Sequence, residues 1–231
     1  MTSTSILGRL GLLAAAALVT ATFATTASAA DMSTPVYKAP VPVVEAQSPW
    51  MIRLRALGVM PDGGGSVTGV AGSSLSYSDS FVPELDITYF LNKNIALELI
   101  LGVTPHDIYG QGSLSSLGKV GDTWLLPPIL TLQYHFTELG AFKPYVGAGV
   151  NYTVFFNTSA DNVQALSLDN TFGWALQVGF DYMFDKHWGI NFDVKKLFLQ
   201  PSFDVTVANT TLQGQADLNP WLVAAGITYR F

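Results

Sequence analysis

Residues 83–101, PELDITYFLNKNIALELIL, sort themselves by parity. Leu85, Ile87 and Tyr89 point to one side, and Glu84, Asp86 and Thr88 to the other. After Leu91-Asn92-Lys93-Asn94 the pattern resumes: Ile95, Leu97, Leu99 and Leu101 share one face, and Ala96, Glu98 and Ile100 share the opposite one. A period of two is the period of an extended strand, and the short Asn-rich break is a hairpin turn. In water the leucines would form the core. In a membrane barrel the same leucines meet lipid and the carboxylates line the interior.

The alternation recurs in segments starting near residues 50, 83, 95, 124, 144, 172, 188 and 221. Most run longer than the usual ~5–6 residues and match the ~9–11 that a tilted membrane strand needs. Their connections alternate: 60–81, 104–123, 157–171 and 199–220 are long, and 91–94, 137–143 and 185–187 are short. This predicts an all-β, eight-stranded antiparallel transmembrane β-barrel with long extracellular loops and short periplasmic turns. Charged residues make up 12% of the chain, about half the ~25% of soluble domains. Trp50, Tyr89, Phe90, Trp124, Tyr134, Phe136, Tyr182, Phe184, Trp188 and Trp221 stand near strand ends, where interfacial girdles form. A secreted lipocalin-like barrel would keep its apolar face inside, the reverse of this charge pattern. The net charge of −6 and the lack of a basic stripe exclude a nucleic-acid partner.

Residues 1–30 read as a cleaved signal peptide: Arg9, then LGLLAAAALV, then Ala27-Ser28-Ala29 as a cleavage site, with Ser28-Ala29-Ala30 as the alternative. Residues 31–49 hold four prolines and read as a Pro-rich periplasmic arm. Residues 50–231 are the barrel. The chain has no cysteine, so the exported protein has no disulfide to rely on.

The inward faces divide by height. Arg53, Arg55, Asp86, Glu98, Asp181, Asp193 and Arg230 fall in the lower and middle lumen, where pairing offsets the cost of burial and makes a polar plug. Two readings of that plug are open, inert filling or a narrow ion-conducting pore. Leu57, Ile100, Leu125, Ile129, Phe155, Leu197 and Leu222 fall in the upper lumen and predict an apolar binding vestibule, with Glu84 and Lys195 as exceptions. Pro127 and Pro128 interrupt the fourth strand. They denote either a lateral opening in the wall or a simple bulge, since proline cannot donate to a ladder.

Chemistry has little support. His106 and Asp107 lie near Ser113, Ser115 and Ser116 in a Ser-rich stretch, a weak basis for a Ser-His-acid site. Three scattered histidines do not make a metal site. We expect no enzyme, no cofactor and no metal.

LPPILTLQYHF (126–136), KPYVGAGVNYTVFF (143–156), GWALQVGFDYMFDKHWGINFDVKKL (173–197) and the terminal GITYRF resemble the OmpW family of Gram-negative outer-membrane proteins, and the likeness covers nearly all of residues 50–231. The resemblance implies a small barrel with an apolar lumen, associated with passage of small hydrophobic compounds. Tyr229 and Phe231 resemble the terminal signal read by the barrel-assembly machinery. The expected partners are outer-membrane lipid and lipopolysaccharide, small hydrophobic compounds and that machinery, around a monomer in the outer membrane. The alternative is a structural or adhesive receptor barrel with an inert lumen.

Overall fold

The computed structural model describes residues 47–231. The signal peptide and most of the Pro-rich arm expected from the sequence lie outside the described residues.

Eight strands close on themselves: β1 (Trp50–Met60), β4 (Ser80–Phe90), β5 (Ile95–Leu101), β8 (Ile129–His135), β9 (Phe142–Ala160), β11 (Thr171–Met183), β12 (Trp188–Phe198) and β15 (Trp221–Arg230). Every neighbouring pair is antiparallel, and β15 returns to β1 in register from Met51 opposite Arg230 to Met60 opposite Trp221. The last residue belongs to this seam, because Phe231 N–H donates to the Trp50 carbonyl at 3.1 Å. Closure is what lipid demands, since an open edge would leave amides with no water to bond.

Burial follows parity. On β1, Ile52 and Leu54 face outward while Arg53 and Arg55 are buried. The outer face is apolar from Leu54 through Leu132, Val150 and Val178 to Ile227. Nine of the ten aromatics assigned to girdles are exposed. Phe90 departs from that expectation: it is 6% exposed and packs inside with Met51 and Ala96. Its neighbour Tyr89 takes the outward position, and the next residue in a strand must turn in.

The long connections carry structure that the sequence reading missed. They hold β2 (Gly65–Val67), β3 (Ser73–Tyr77), β6 (Thr104–Gly112), β7 (Lys119–Leu126), β10 (Ala165–Leu168), β13 (Ser202–Val207) and β14 (Thr210–Ala216). These strands form an extracellular crown. One part pairs β3, β6 and β7 onto the upper half of β9, and the other runs β10-β13-β14-β2. The crown has a core of its own around Val67, Leu75, Ile108, Phe203 and Val205. β13 and β14 join through Ala208 and Asn209, both at positive φ (48° and 65°), which gives a two-residue turn its strand-matching twist.

The fourth strand is split, with β7 ending at Leu126 and β8 starting at Ile129. The third strand breaks at the same height, with β5 ending at Leu101 and β6 starting at Thr104. Pairing runs up to Ile100 opposite Ile129 and resumes at Thr104 opposite Leu125. Between these rungs, residues 101–103 and 126–128 share no register pairs. On the far side the wall stays tied, because the Pro128 carbonyl accepts from Tyr152 N–H at 3.2 Å.

Inside the barrel, Tyr145 lies across Gly179, its register partner on β11. A Cβ at Gly179 would stand 2.6 Å from both Cζ and the hydroxyl of Tyr145. Glycine therefore provides the seat for the ring. Gly179→Ala should displace Tyr145 and cost about 1–3 kcal/mol of overpacking, read as a lower urea midpoint of the folded barrel in lipid vesicles. An unchanged midpoint would mean that the ring has room elsewhere.

Candidate functional site

The lumen contains two zones in contact. The lower zone is a charge network built around two arginines from one strand. Arg53 Nη1 lies 2.7 Å from Asp86 Oδ2, and its Nε and Nη2 reach Asp181 Oδ1 and Oδ2 at 2.9 and 2.7 Å. This second contact is the two-pronged geometry that guanidinium and carboxylate share. Thr228 on β15 donates to Asp181 Oδ1 at 2.8 Å. Arg53 thus ties β1 to β4 and β11 directly and to β15 through Asp181.

Arg55 continues the network one rung up. It pairs with Glu84, lies 3.1 Å from Asp86 Oδ2, and donates to Asn191 Oδ1 at 3.0 Å. Lys195 pairs with Asp193 and lies 3.8 Å from Glu98 Oε2. Gln177 Nε2 bonds Asp193 Oδ2 at 2.6 Å and Glu98 Oε2 at 2.9 Å, and the Tyr145 hydroxyl reaches Asp193 Oδ2 at 2.7 Å. Arg53, Asp86 and Glu98 are 0% exposed. Neutral amides and hydroxyls occupy the lone pairs that the cations leave, which is the condition for burying so many charges.

Six of the seven residues assigned to the plug by sequence converge here. Arg230 does not. It sits at the periplasmic mouth, half-buried, with its guanidinium 4.0 Å from the Phe90 ring centroid and Nε donating to the Ser48 carbonyl at 3.4 Å. No carboxylate lies within ion-pair distance of it among the described residues. Its strand has reached the bilayer edge, where water solvates a guanidinium without help. Glu84 and Lys195, set apart in the sequence as upper exceptions, belong to the network instead, because long side chains reach down a rung.

Above the network lies a narrow apolar cavity with an accessible volume of about 40 Å³. All seven apolar residues singled out in the sequence line it, from Leu57 on β1 to Leu222 on β15. Its floor meets the plug at Glu84. Its outer end is bounded by the crown, since Tyr77, Ile108 and Leu168 line both this cavity and a smaller one in the crown core. Pro127 and Gly102 line it as well, so the stretch of wall without ladder pairs borders the cavity.

His106 also lines the cavity. Sequence reasoning placed it in a loop beside serines. The readable signal was alternation: Thr104, His106 and Ile108 against Pro105, Asp107 and Tyr109. His106 points in, while Asp107 points out to Lys119 Nζ at 3.0 Å. Ser115 and Ser116 lie on an exposed 3₁₀ turn, Ser115–Leu117, beyond the end of β6. The suspected histidine, aspartate and serines are thus on different faces.

The network's geometry ranks its members. Arg53→Met leaves Asp86 and Asp181 buried without their shared cation and should cost about 3–5 kcal/mol. Arg230→Met, at the wet mouth, should cost less than about 1 kcal/mol. Urea unfolding of the two variants in vesicles checks the order, and equal losses would contradict it.

The sequence matches the profile described as the OmpW family over residues 47–231. The chain is 55% identical over 220 residues to the outer-membrane protein y4mB of Sinorhizobium fredii, covering 94% of this chain and 95% of that one. It is 28% identical over 202 residues to the dibenzothiophene metabolism operon protein PahQ of Pseudomonas aeruginosa, covering 85% and 95%. The crystal structure of the outer membrane protein OprG from Pseudomonas aeruginosa superimposes with a TM-score of 0.74 at 26% identity, covering 80% of this chain and 97% of that one.

Proposed function

The chain belongs to the OmpW family of outer-membrane β-barrels, and on that footing we propose that it gives small hydrophobic molecules a passive route into the membrane. They occupy the apolar cavity from the extracellular side and leave sideways past Pro127 and Pro128 into the bilayer. The barrel carries out no chemical step on this reading.

The observation that carries the proposal is the position of the cavity. It is apolar, as a site for hydrophobic molecules must be, and it ends below on a charge network buried from solvent. An apolar molecule moving down the axis would have to separate Arg53 from Asp86 and Asp181, at a cost of several kcal/mol. Moving sideways, it meets a wall whose rungs are missing at residues 101–103 and 126–128. The relative PahQ takes its name from a dibenzothiophene metabolism operon, which suits such cargo, because dibenzothiophene is a flat apolar aromatic. The same network weighs against a narrow ion pore, since its donors and acceptors are bonded to one another.

We further propose that residues 1–30 direct export and are removed, and that Phe231 is read by the barrel-assembly machinery. Phe231 is exposed to lipid and stacks edge-on against Tyr229 at 5.0 Å, so it offers an accessible aromatic end. The mass of protein purified from outer membranes should place its N-terminus at Ala30 or Asp31. Deleting Phe231 should lower the heat-modifiable, membrane-inserted fraction severalfold, whereas removing residues 35–45 should not. Equal insertion of the two deletions would refute the assembly role.

The route is tested by uptake of an apolar fluorescent probe into vesicles, normalised to folded barrel. Leu125→Asp should reduce uptake severalfold, because a carboxylate in the cavity holds water there. Replacing Pro127 by Val together with Pro128 by Thr restores two ladder donors and should slow release. Arg230→Gln at the periplasmic mouth should leave uptake unchanged. If the mouth variant blocks uptake while Leu125→Asp does not, passage is axial.

A further inference from the structure

The cavity is apolar along most of its wall, and the polar groups at its floor are already bonded. Glu84 is held by Arg55. Higher up the situation differs. His106 is 5% exposed and lines the cavity. Its Nδ1 lies 2.7 Å from the Ser78 carbonyl oxygen. A carbonyl only accepts, so Nδ1 must carry the proton, and Nε2 of the neutral ring is left as an acceptor. Burial in the crown holds the ring's pKa below the usual histidine value, which keeps it neutral. Nε2 has no hydrogen-bond partner among the described residues. Unlike the fully buried atoms of the network, Nε2 keeps surface that a molecule in the cavity can reach, so it is open to a donor. The Thr104 hydroxyl, two residues away on the same face of β6, also lines the cavity and also has no partner among the described residues. Thr123, the register partner of His106, is already engaged with the Thr158 hydroxyl at 2.9 Å.

Resting on the reading of the cavity given above, we propose that the site selects apolar molecules carrying one hydroxyl, such as phenols and alcohols, over the corresponding hydrocarbons. The ligand O–H donates to His106 Nε2, its oxygen accepts from Thr104 Oγ1, and its hydrocarbon body lies among Leu57, Ile100, Leu125 and Leu222. A group that only accepts, such as an ether, can take the Thr104 hydroxyl but cannot satisfy Nε2, so it gains less than an alcohol. His106 and Thr104 are therefore specificity-determining residues.

The test uses full-length mature protein in lipid nanodiscs, with empty nanodiscs subtracted. Three probes share one ring system: naphthalene, α-naphthol and its methyl ether. The native barrel should bind α-naphthol about tenfold more tightly than naphthalene, the effect of one hydrogen bond in a buried site. The methyl ether, which can accept from Thr104 but cannot donate to His106, should bind more weakly than α-naphthol. His106→Leu should abolish the preference while retaining naphthalene, and His106→Gln, which restores an acceptor, should recover part of it. Heat-modifiable migration verifies that each variant is folded. If native barrel binds all three probes equally, the hydroxyl preference is wrong and the apolar cavity stands. If the folded native barrel binds none of them, the cavity reading fails and this inference with it. If His106→Leu folds and keeps the preference, another group reads the hydroxyl and His106 does not.

Discussion

A peptide group inside the apolar band of a bilayer has no water to turn to, so every N–H and C=O there must find its partner within the protein. The seam between β15 and β1 is where this chain meets that demand. Closing eight strands fixes the width of the barrel, and the width fixes what can stand inside it. An interior this narrow holds side chains or one small ligand. The division of the lumen into a bonded polar network and an apolar space follows from which inward residues each strand contributes.

The polar network also acts as a set of cross-braces. Arg53 and Arg55 belong to one strand, yet their partners lie on β4, β5, β11 and β12. Ladder bonds join only neighbours, whereas these contacts cross the interior. They resist flattening of the barrel in a way that no wall contact can. The region above has no such braces, and it is there that the wall loses its rungs and the cavity opens. Rigidity below and compliance above are thus consequences of where the charges fall along the strands.

Much of this was legible from residue parity. The strand faces, the seven apolar cavity residues and six of the seven plug residues follow from a period of two and the direction of each strand. Phe90 was legible too, and was misplaced because strand ends suggested girdles more strongly than its even position suggested the interior. Arg230 shows a different limit. Parity places it inward correctly, but whether an inward arginine needs a carboxylate depends on its distance from water, which sequence does not state. Much of the crown was hidden because several of its strands are short, down to three residues in Gly65–Val67, and its Ala208-Asn209 turn lacks the usual Asn-Gly signature. His106 lies on the nine-residue β6 and went unread because the nearby serines and glycines suggested a loop more strongly than its alternation suggested a strand.

β9 is 19 residues long and unbroken, from Phe142 to Ala160. At ~3.3 Å per residue and a tilt near ~40°, it climbs roughly 45 Å along the membrane normal. The apolar band uses about 25 Å of that height, and about 20 Å remains as a post that carries the crown. A post of fixed length does not adjust when the leaflet around it does. In a thicker bilayer the incomplete rungs beside Pro127 lie deep among acyl chains, and in a thinner one they rise toward the headgroups. Acyl chain length in the host membrane thereby sets whether the side of the cavity faces hydrocarbon or the hydrated interface. On the proposed sideways route, the surrounding lipid is then a variable of release.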